Sequence, residues 1–358
     1  MARRILLLIT DLQIGGTPTV VRELAVRLND PLSVRVDVAC LSPWGPVADQ
    51  IRSRGVRVMA LNARGASDLG AVLRLNRLIG EQQYDTVMSF LIHANAAAAG
   101  AKLFYRDVRY IQSIQTTQPD PRWHWTMQHI VQAAAERIVV PSQSAALVAQ
   151  RWADIPPEKI VVIPNAVEPG EFVQSPVPMG QPTPYPIGFI GRLDPIKQVP
   201  VLIRQFARVA QRREVVLHIF GDGSDRPRVV SEISSLNLGD KIILHGTIAK
   251  AQEALSQIGM LVLPSAAEGF GLVLIEAMAA GVPVIGNNAP GIVNVVKNEQ
   301  TGLLVNADTD DELSDAMMRL VDDRTLRLRL IEKGLIEVRE RFSWGSLLPA
   351  YQRLFGLK

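Results

Sequence analysis

An alternation of short apolar segments with amphipathic helical stretches runs along the chain and restricts its fold more than any other feature. Segments such as Val34 to Cys40 are apolar almost throughout, which is typical of parallel strands covered by helices on both faces. The pattern therefore predicts a doubly wound α/β architecture. In the first half it predicts strands at Arg4 to Thr10, Val34 to Cys40, Val56 to Leu61, Thr86 to Leu91 and Arg137 to Val140, and helices at Thr19 to Leu28, Val47 to Arg54 and Leu69 to Gln82.

The same alternation starts again after a proline-rich stretch, Pro164 to Pro186, which reads as an extended connection. A chain of 358 residues exceeds the size at which one hydrophobic core usually stops growing. We therefore predict an N-terminal domain at 1–176 and a C-terminal domain at 184–342. Strands of the second domain are predicted at Ile187 to Ile190, Val215 to Phe220, Ile242 to Leu244, Leu261 to Leu263 and Val282 to Ile285, with a helix at Val201 to Ala210.

The composition of the chain excludes several classes of protein. Hydrophobic residues make up 47% and charged residues 20%, as in a globular protein. The single cysteine, Cys40, follows an apolar alternation and is interpreted as a core residue. A net charge of +3 is too small for a nucleic-acid footprint. The early apolar run ends at Asp11 and no segment approaches about 20 apolar residues, so neither export nor a membrane span is predicted and a cytoplasmic location is expected.

The segment from Met260 to Ile285 carries the strongest indication of a binding site. A strand is followed by Glu268-Gly269-Phe270-Gly271 and then by an apolar helix that begins at Leu272. Glycines let the backbone approach a ligand, and a helix N-terminus favours an anion. Glu276 lies within the apolar helix, where an unpaired buried carboxylate costs several kcal/mol, and a ribose diol would satisfy it. The alternative is a surface glutamate at the edge of a buried helix.

A second group of charges lies between Ile190 and the helix at Val201. Arg192 and Lys197 flank Asp194-Pro195, which we interpret as an N-cap and first-turn pair. Two cations at a helix N-terminus oppose the helix dipole unless an anion lies between them, and a diphosphate would resolve that conflict. The alternative is that both cations are solvated surface charges.

Other motifs are weaker. Gly15-Gly16 and Gly221-Asp222-Gly223 each follow a predicted strand, but neither is a complete dinucleotide fingerprint. His93 follows a strand and heads an alanine-rich helix; a lone histidine is more often structural, but its position at the carboxyl end of a strand favours a ligand contact. Asp308-Thr309-Asp310 is interpreted as capping for a helix at Asp311 to Leu320, so no metal site is assigned. No serine has partners at the spacing of a hydrolase nucleophile.

Together these motifs resemble the retaining GT-B glycosyltransferases of family 4, the glycosyl transferases group 1. The resemblance covers nearly the whole chain, and its most specific parts are the Arg192 and Lys197 pair and the two glutamates separated by seven residues, Glu268 and Glu276. It implies two Rossmann-like domains facing across a cleft, with 343–358 crossing back onto the first. Further matching positions are Gly15-Gly16, His93, Pro141-Ser142, Ile163-Pro164-Asn165, Gly191-Arg192-Leu193, Phe220-Gly221-Asp222-Gly223 and Phe342-Ser343-Trp344.

The resemblance also implies roles for these residues. The substrate would be a nucleotide-diphosphate sugar such as a UDP- or GDP-sugar, used without a cofactor or metal. Arg192 and Lys197 would hold the diphosphate, Glu268 the sugar hydroxyls and Glu276 the ribose. The backbone of Gly269, Phe270, Gly271 and Leu272 would contact sugar and phosphate. His93 would contact the sugar from the N-terminal domain, where Gly15 and Gly16 would border the diphosphate and the acceptor.

Three positions depart from the family pattern: Ala166 and Gln198 replace common glycines, and Asn294 stands where a glutamate is usual. The acceptor is expected to be a saccharide or a lipid-linked saccharide of cell-envelope or exopolysaccharide synthesis. Tyr105 to Trp125 mixes arginines with aromatic residues and is interpreted either as an acceptor contact or as a plain exposed loop. Residues 1–170 hold 18 Lys+Arg against 14 Asp+Glu, a net +4 by difference, which permits peripheral association with the inner membrane face. The alternative functions are a nucleotide-sugar epimerase and a non-catalytic nucleotide-sugar-binding subunit.

Overall fold

The computed structural model describes residues 3–30, 32–65, 68–309 and 311–357, which form two compact units. Unit 1 comprises Met1–Asn165 and Leu348–Lys358, and unit 2 comprises Ala166–Leu347. The chain therefore passes between the units immediately before residue 166, earlier than the boundary predicted from the prolines. No described helix combines the length and the apolar composition needed to cross a bilayer.

Unit 1 is built on one parallel sheet with the strand order β3-β2-β1-β4-β5-β6-β7. Its strands are β1 (Arg3–Ile9), β2 (Val34–Cys40), β3 (Arg57–Ala60), β4 (Thr86–Phe90), β5 (Arg109–Ser113), β6 (Arg137–Val140) and β7 (Ile160–Val162). Its helices are α1 (Gly16–Leu28), α2 (Pro46–Arg52), α3 (Leu69–Gln82), α4 (Ile92–Lys102), α5 (Trp123–Val131) and α6 (Gln143–Ala153). Every side chain from Ile5 to Ile9 is buried, as expected of a central strand covered on both faces.

Unit 2 repeats this design with a parallel sheet in the order β10-β9-β8-β11-β12-β13. The strands are β8 (Tyr185–Ile190), β9 (Val215–Phe220), β10 (Ile242–Gly246), β11 (Met260–Leu263), β12 (Val284–Asn287) and β13 (Leu303–Val305). The helices are α7 (Val199–Ala210), α8 (Arg226–Ser235), α9 (Ala251–Leu255), α10 (Leu272–Ala279), α11 (Glu312–Asp322), α12 (Arg324–Arg341) and the last helix, α13 (Trp344–Phe355). The end of α13 belongs to unit 1, where Arg109 Nη2 donates to Leu354 O at 3.3 Å.

The proline-rich stretch is not a free connection. Two 3₁₀ turns interrupt it, and Ser175 N donates to Ala280 O at 2.8 Å. The buried guanidinium of Arg327 donates to Pro178 O at 3.0 Å and to Gly180 O at 3.1 Å. From residue 166 on, the stretch is therefore attached to unit 2 through backbone carbonyls, which proline retains although it lacks an N–H.

Strand β5 lies inside the stretch interpreted as a loop, and two of its four buried side chains, Gln112 and Ser113, are polar. Gln112 Nε2 donates to Val131 O at 2.8 Å, and Gln128 Nε2 donates to Gln112 Oε1 at 2.7 Å. Asn95 Nδ2 donates to Gln128 Oε1 at 2.9 Å, and Ser89 Oγ donates to Asn95 Oδ1 at 2.7 Å. These buried amides form a connected series of hydrogen bonds that joins α4 and α5 to the sheet. Elsewhere in the core, apolar contacts hold the helices on the sheet.

The capping predicted from Asp308 to Asp310 is wrong for Asp308. Its carboxylate accepts from Gln198 Nε2 at 3.2 Å, and α11 begins only at Glu312 after Asp311. Asp310 lies outside the described residues. The side chain of Asp311 makes no capping hydrogen bond, and Glu312 instead accepts from Asn306 N at 2.7 Å.

Candidate active site

The predicted charged loops of unit 2 lie side by side because β8 and β11 are neighbours at the centre of its sheet. The strand order reverses at this pair, with β9 and β10 on one side and β12 and β13 on the other. Such a switch point leaves a crevice outside the carboxyl ends of the strands, where ligands of open α/β sheets bind. The loop after β8 carries Arg192 and Lys197, and the loop after β11 carries Glu268.

Each of the two cations has a carboxylate partner in the protein itself. Lys197 Nζ pairs with Glu268 Oε1, and both side chains are largely buried. Arg192 Nε pairs with Asp194 Oδ2, and the Arg192 side chain is mostly exposed. Asp194 is the N-cap residue of the 3₁₀ turn Pro195–Lys197, with Pro195 in its first turn as predicted, but its side chain makes no capping hydrogen bond and α7 begins only at Val199. Because these carboxylates already oppose the two cations, the prediction that the cations require an external anion is wrong.

Backbone hydrogen bonds fix the position of Glu268. Glu268 N donates to Pro290 O at 3.0 Å, and two residues earlier Ala266 N donates to Ile196 O at 2.9 Å. The Lys197 turn and the Glu268 loop are therefore joined directly. Asn287, at the end of β12, supports the same loop: its Nδ2 donates to Ser265 O at 3.1 Å and its Oδ1 accepts from Ala307 N at 3.0 Å.

Gly291 is a positioning residue that the sequence did not indicate. Its φ is +85°, and a Cβ at this position would lie 2.0 Å from Glu268 O. Only glycine fits both the conformation and the close approach. Asn294, which replaces the usual glutamate, is half-buried at the end of the adjacent 3₁₀ turn Ile292–Asn294, where its N donates to Gly291 O at 3.2 Å.

We expect Gly291→Ala to lower kcat/KM for the donor by roughly 10²-fold, because a displacement of about 1 Å in a reacting group has effects of that size. The measurement is steady-state kinetics alongside a thermal unfolding scan. The control is Gly55→Ala, where φ is +81° and no atom lies within 4 Å of the added Cβ. Gly55→Ala carries only the conformational cost, about 1–2 kcal/mol. Equal kinetic losses in both variants would show that Gly291 does not position Glu268.

The motif Gly221-Asp222-Gly223 supports the Arg192 turn from the neighbouring strand. A Cβ on Gly221 would lie 1.9 Å from Gly191 O, and one on Gly223 would lie 2.4 Å from Leu193 O. In return Leu193 N donates to Asp222 O at 2.9 Å. Within unit 2 these glycines are therefore needed for close packing between two turns of the protein.

Gln198 directly follows Lys197, at a position where the family pattern commonly has glycine, and its backbone conformation explains that preference. Its φ is +52° and its ψ +35°, the left-handed region in which a side chain is disfavoured. This residue ends the 3₁₀ turn Pro195–Lys197 and precedes α7. The left-handed step turns the chain so that Lys197 lies at the carboxyl edge of the sheet while α7 packs along its face.

The predicted donor residues around α10 have different surroundings. Gly271, with φ +86°, is the N-cap of α10 and offers its first turn no side-chain acceptor. The Phe270 ring is buried and packs edge-to-face on Phe342, with centroids 5.5 Å apart, so only its backbone is available to a ligand. Glu276 is half-buried, as are Leu272 and Val273. Helix α10 therefore has one partly exposed face, and Glu276 lies on it, at the edge of a helix that is otherwise buried.

The predicted residues of unit 1 lie at the switch point of their own sheet. Gly15 and Gly16 follow β1, His93 follows β4, and these two strands are neighbours. Between β4 and α4 the chain passes through Leu91 with φ +73° and ψ +157°, a strained conformation of the kind that concentrates at functional sites. Gly15 has φ 171°, which any residue adopts, and the nearest atom to an added Cβ lies 3.7 Å away. The fold of unit 1 therefore does not itself require glycine at this position.

His93 contacts two aromatic residues of α5. Its ring centroid lies 5.6 Å from that of Trp123 and 6.3 Å from that of His124. Burial, with a smaller effect from His93, lowers the pKa of His124 below its usual value. The lowered pKa favours the neutral form of His124. In the described part of the chain no three His, Cys, Asp or Glu side chains are grouped as metal ligands.

Two units with parallel, Rossmann-like sheets are the architecture of the GT-B class. The crystal structure of Anabaena HepE in complex with UDP-glucose has the same fold, with a TM-score of 0.89 at 20% sequence identity, and the alignment covers 99% of this chain and 100% of that one. A family model for Glycosyltransferase Family 4 matches residues 14–171, and a model for Glycosyl transferases group 1 matches residues 179–335. The chain belongs to this family of glycosyltransferases.

Curated relatives agree with this assignment. An uncharacterized glycosyltransferase of Methanocaldococcus jannaschii is 24% identical over 291 residues, which cover 75% of this chain and 74% of that protein. A D-inositol 3-phosphate glycosyltransferase of Rhodococcus erythropolis is 30% identical over 269 residues, which cover 69% of this chain and 60% of that protein. The match thus spans less than two thirds of the second relative.

Proposed function

We propose that the protein is a retaining, metal-independent glycosyltransferase that moves a sugar from a nucleotide-diphosphate sugar to a saccharide or lipid-linked acceptor in envelope or exopolysaccharide synthesis. The observation that carries the proposal is the Lys197–Glu268 pair at the switch point of unit 2, with the exposed guanidinium of Arg192 in the same loop. This arrangement places two cations and a carboxylate at one crevice. UDP and UDP-glucose bound to structural neighbours support a nucleotide sugar as donor.

In this proposal the diphosphate replaces the protein's own carboxylates as the partner of the cations. Lys197 and Arg192 neutralise the charge that develops on the leaving phosphate as the bond from the anomeric carbon breaks. Glu268 is then available to accept hydrogen bonds from the sugar hydroxyls, and Glu276 from the ribose. Because both cations come from the protein, no metal is needed for this charge.

Retention requires that the acceptor oxygen attack from the face that the phosphate leaves. The acceptor oxygen forms the new bond to the anomeric carbon, the bond to the phosphate oxygen breaks, and the acceptor proton passes to that oxygen. A second catalytic carboxylate of the glycosidase type is not required. Gly15, Gly16 and His93 are proposed to contact the diphosphate and the sugar from unit 1.

The test is a thermal unfolding scan with UDP, GDP and ADP, because a ligand at about 100 times its Kd adds roughly 2.7 kcal/mol of stability. One nucleotide is expected to raise the unfolding temperature, and it identifies the donor base. Sugar nucleotides of that base are then assayed with and without EDTA, and the anomer of the product is determined by NMR. No shift with any nucleotide would overturn the proposal.

The two alternatives give different products in the same assay. An epimerase would convert the donor sugar without an acceptor, and a binding subunit would be stabilised by the nucleotide but would form no product with any acceptor. The proposed enzyme releases nucleoside diphosphate at a rate that depends on the acceptor. Loss of activity with EDTA would refute metal independence alone.

A further inference from the structure

A surface formed by α5 and α6 of unit 1 combines exposed apolar residues with unpaired arginines. We call it the α5–α6 surface and define it by Arg122, Trp123, Met127, Ile130, Leu147, Arg151 and Trp152. Trp123, Met127 and Ile130 are 48%, 36% and 62% exposed. Their spacing places them on one face of α5, whereas Trp125 and Gln128 face the core. A stripe of this kind is rare on a surface without a partner.

The charges of this surface have one sign. Neither α5 nor α6 contains an acidic residue. The guanidiniums of Arg122 and Arg151 each lie 5.8 Å from the Trp152 ring, and within the described residues neither is ion-paired with a carboxylate. A tryptophan beside an arginine is typical of the boundary between lipid headgroups and acyl chains. There the tryptophan ring contacts the apolar acyl chains, and the arginine guanidinium binds lipid phosphate.

The surface is also hydrogen-bonded to the core of unit 1 and adjoins His93. Gln128 of α5 is held by the buried amides of α4 and β5, and His129 Nδ1 lies 3.1 Å from Ala153 O at the end of α6. At the other end of the stripe, Trp123 contacts His93, the predicted sugar contact of unit 1. A membrane in contact with α5 would therefore lie next to the acceptor side of the site.

We propose that the α5–α6 surface docks on an anionic lipid surface, so that the acceptor is the lipid-linked form. This deepens the proposed function and rests on it for the identity of the site. Met127, Ile130, Leu147 and the two tryptophans enter the headgroup region, and Arg122 and Arg151 contact lipid phosphates. Binding is electrostatic in part, so it falls as salt screens the charges.

The test is co-sedimentation of the full chain with vesicles of phosphatidylcholine alone or with phosphatidylglycerol. Binding is expected only with the anionic lipid and is expected to fall in 0.5 M salt. The double variants Met127→Glu/Ile130→Glu and Arg122→Gln/Arg151→Gln are each expected to weaken binding roughly ten-fold or more. The control is Leu69→Glu/Leu73→Glu, a pair on one face of α3 whose residues are 77% and 67% exposed.

The outcomes separate this inference from the proposed function. All three double variants should keep the nucleotide-induced rise in unfolding temperature, because the changed side chains lie in unit 1 outside the predicted donor residues. The Met127/Ile130 variant should lose transfer to a lipid-linked acceptor while keeping transfer to a short soluble analogue. Equal loss of vesicle binding in the α3 control, or no binding to anionic vesicles, would overturn the proposal. So would a chain that is dimeric by light scattering and becomes monomeric in the Met127/Ile130 variant.

Discussion

Lys197→Ala is expected to lower kcat by about 10²–10³-fold, because one fixed group that stabilises developing negative charge contributes an effect of that size. The Lys197 side chain is largely buried against Glu268, so its charge acts with little screening by water. Kinetics with the donor identified by the nucleotide scan would measure the change. Lys197→Arg keeps the charge but changes its geometry, and it should retain part of the activity.

The control for Lys197 is Lys250→Ala, which removes an exposed lysine of the same unit at the start of α9. It should leave kcat unchanged. Lys250→Ala should unfold within about 1 kcal/mol of the parent, because it removes only an exposed charge. Lys197→Ala leaves the largely buried Glu268 carboxylate without this cation and should lower the free energy of unfolding by up to about 3–5 kcal/mol, so kcat is measured at a temperature at which the variant is folded. Near-normal turnover in Lys197→Ala would refute the role of Lys197 in neutralising the leaving group.

Arg327→Met is expected to destabilise unit 2 by roughly 3–5 kcal/mol, because several buried carbonyls would lose their donor together. The Arg327 side chain is fully buried. Besides the two bonds to the proline-rich stretch, its Nη1 donates to Leu320 O at 2.7 Å and to Val321 O at 2.9 Å. Its guanidinium also lies 5.3 Å from the Tyr185 ring. Scanning calorimetry should show the unfolding transition about 10 °C lower.

The control is Arg324→Met on the same helix. Arg324 is exposed and makes one bond of the same kind, from its Nε to Met179 O at 2.9 Å. Water can replace that bond, so the expected loss is below about 1 kcal/mol. If the two variants unfold together near the parent temperature, Arg327 does not join the proline-rich stretch to the core of unit 2.

Most elements could be predicted because their apolar residues repeat with a single period, that of a strand or that of a helix. Val34 to Cys40, Leu69 to Gln82 and Val215 to Phe220 have the predicted bounds, since apolar alternation or helical spacing there agrees with burial. Strand β5 could not be predicted, because Gln112 is buried by hydrogen bonding and has no apolar signature. Arg327 was missed for a related reason: a charged residue in a charged helix gives no sign that backbone carbonyls surround it.

The sequence by itself determined the architecture and the identity of the charged groups: two doubly wound units, with Arg192, Lys197, Glu268 and Glu276 in loops or helices that follow strands. Those features depend on local periodicity and on motif spacing, which involve residues that are close together in the sequence. Only the tertiary structure decided which charges meet. The adjacency of β8 and β11 pairs Lys197 with Glu268, and the fit of Gly291 against Glu268 depends on backbone segments that are distant in sequence. Strand order and close backbone approach are properties of packing, so no local pattern could have specified them.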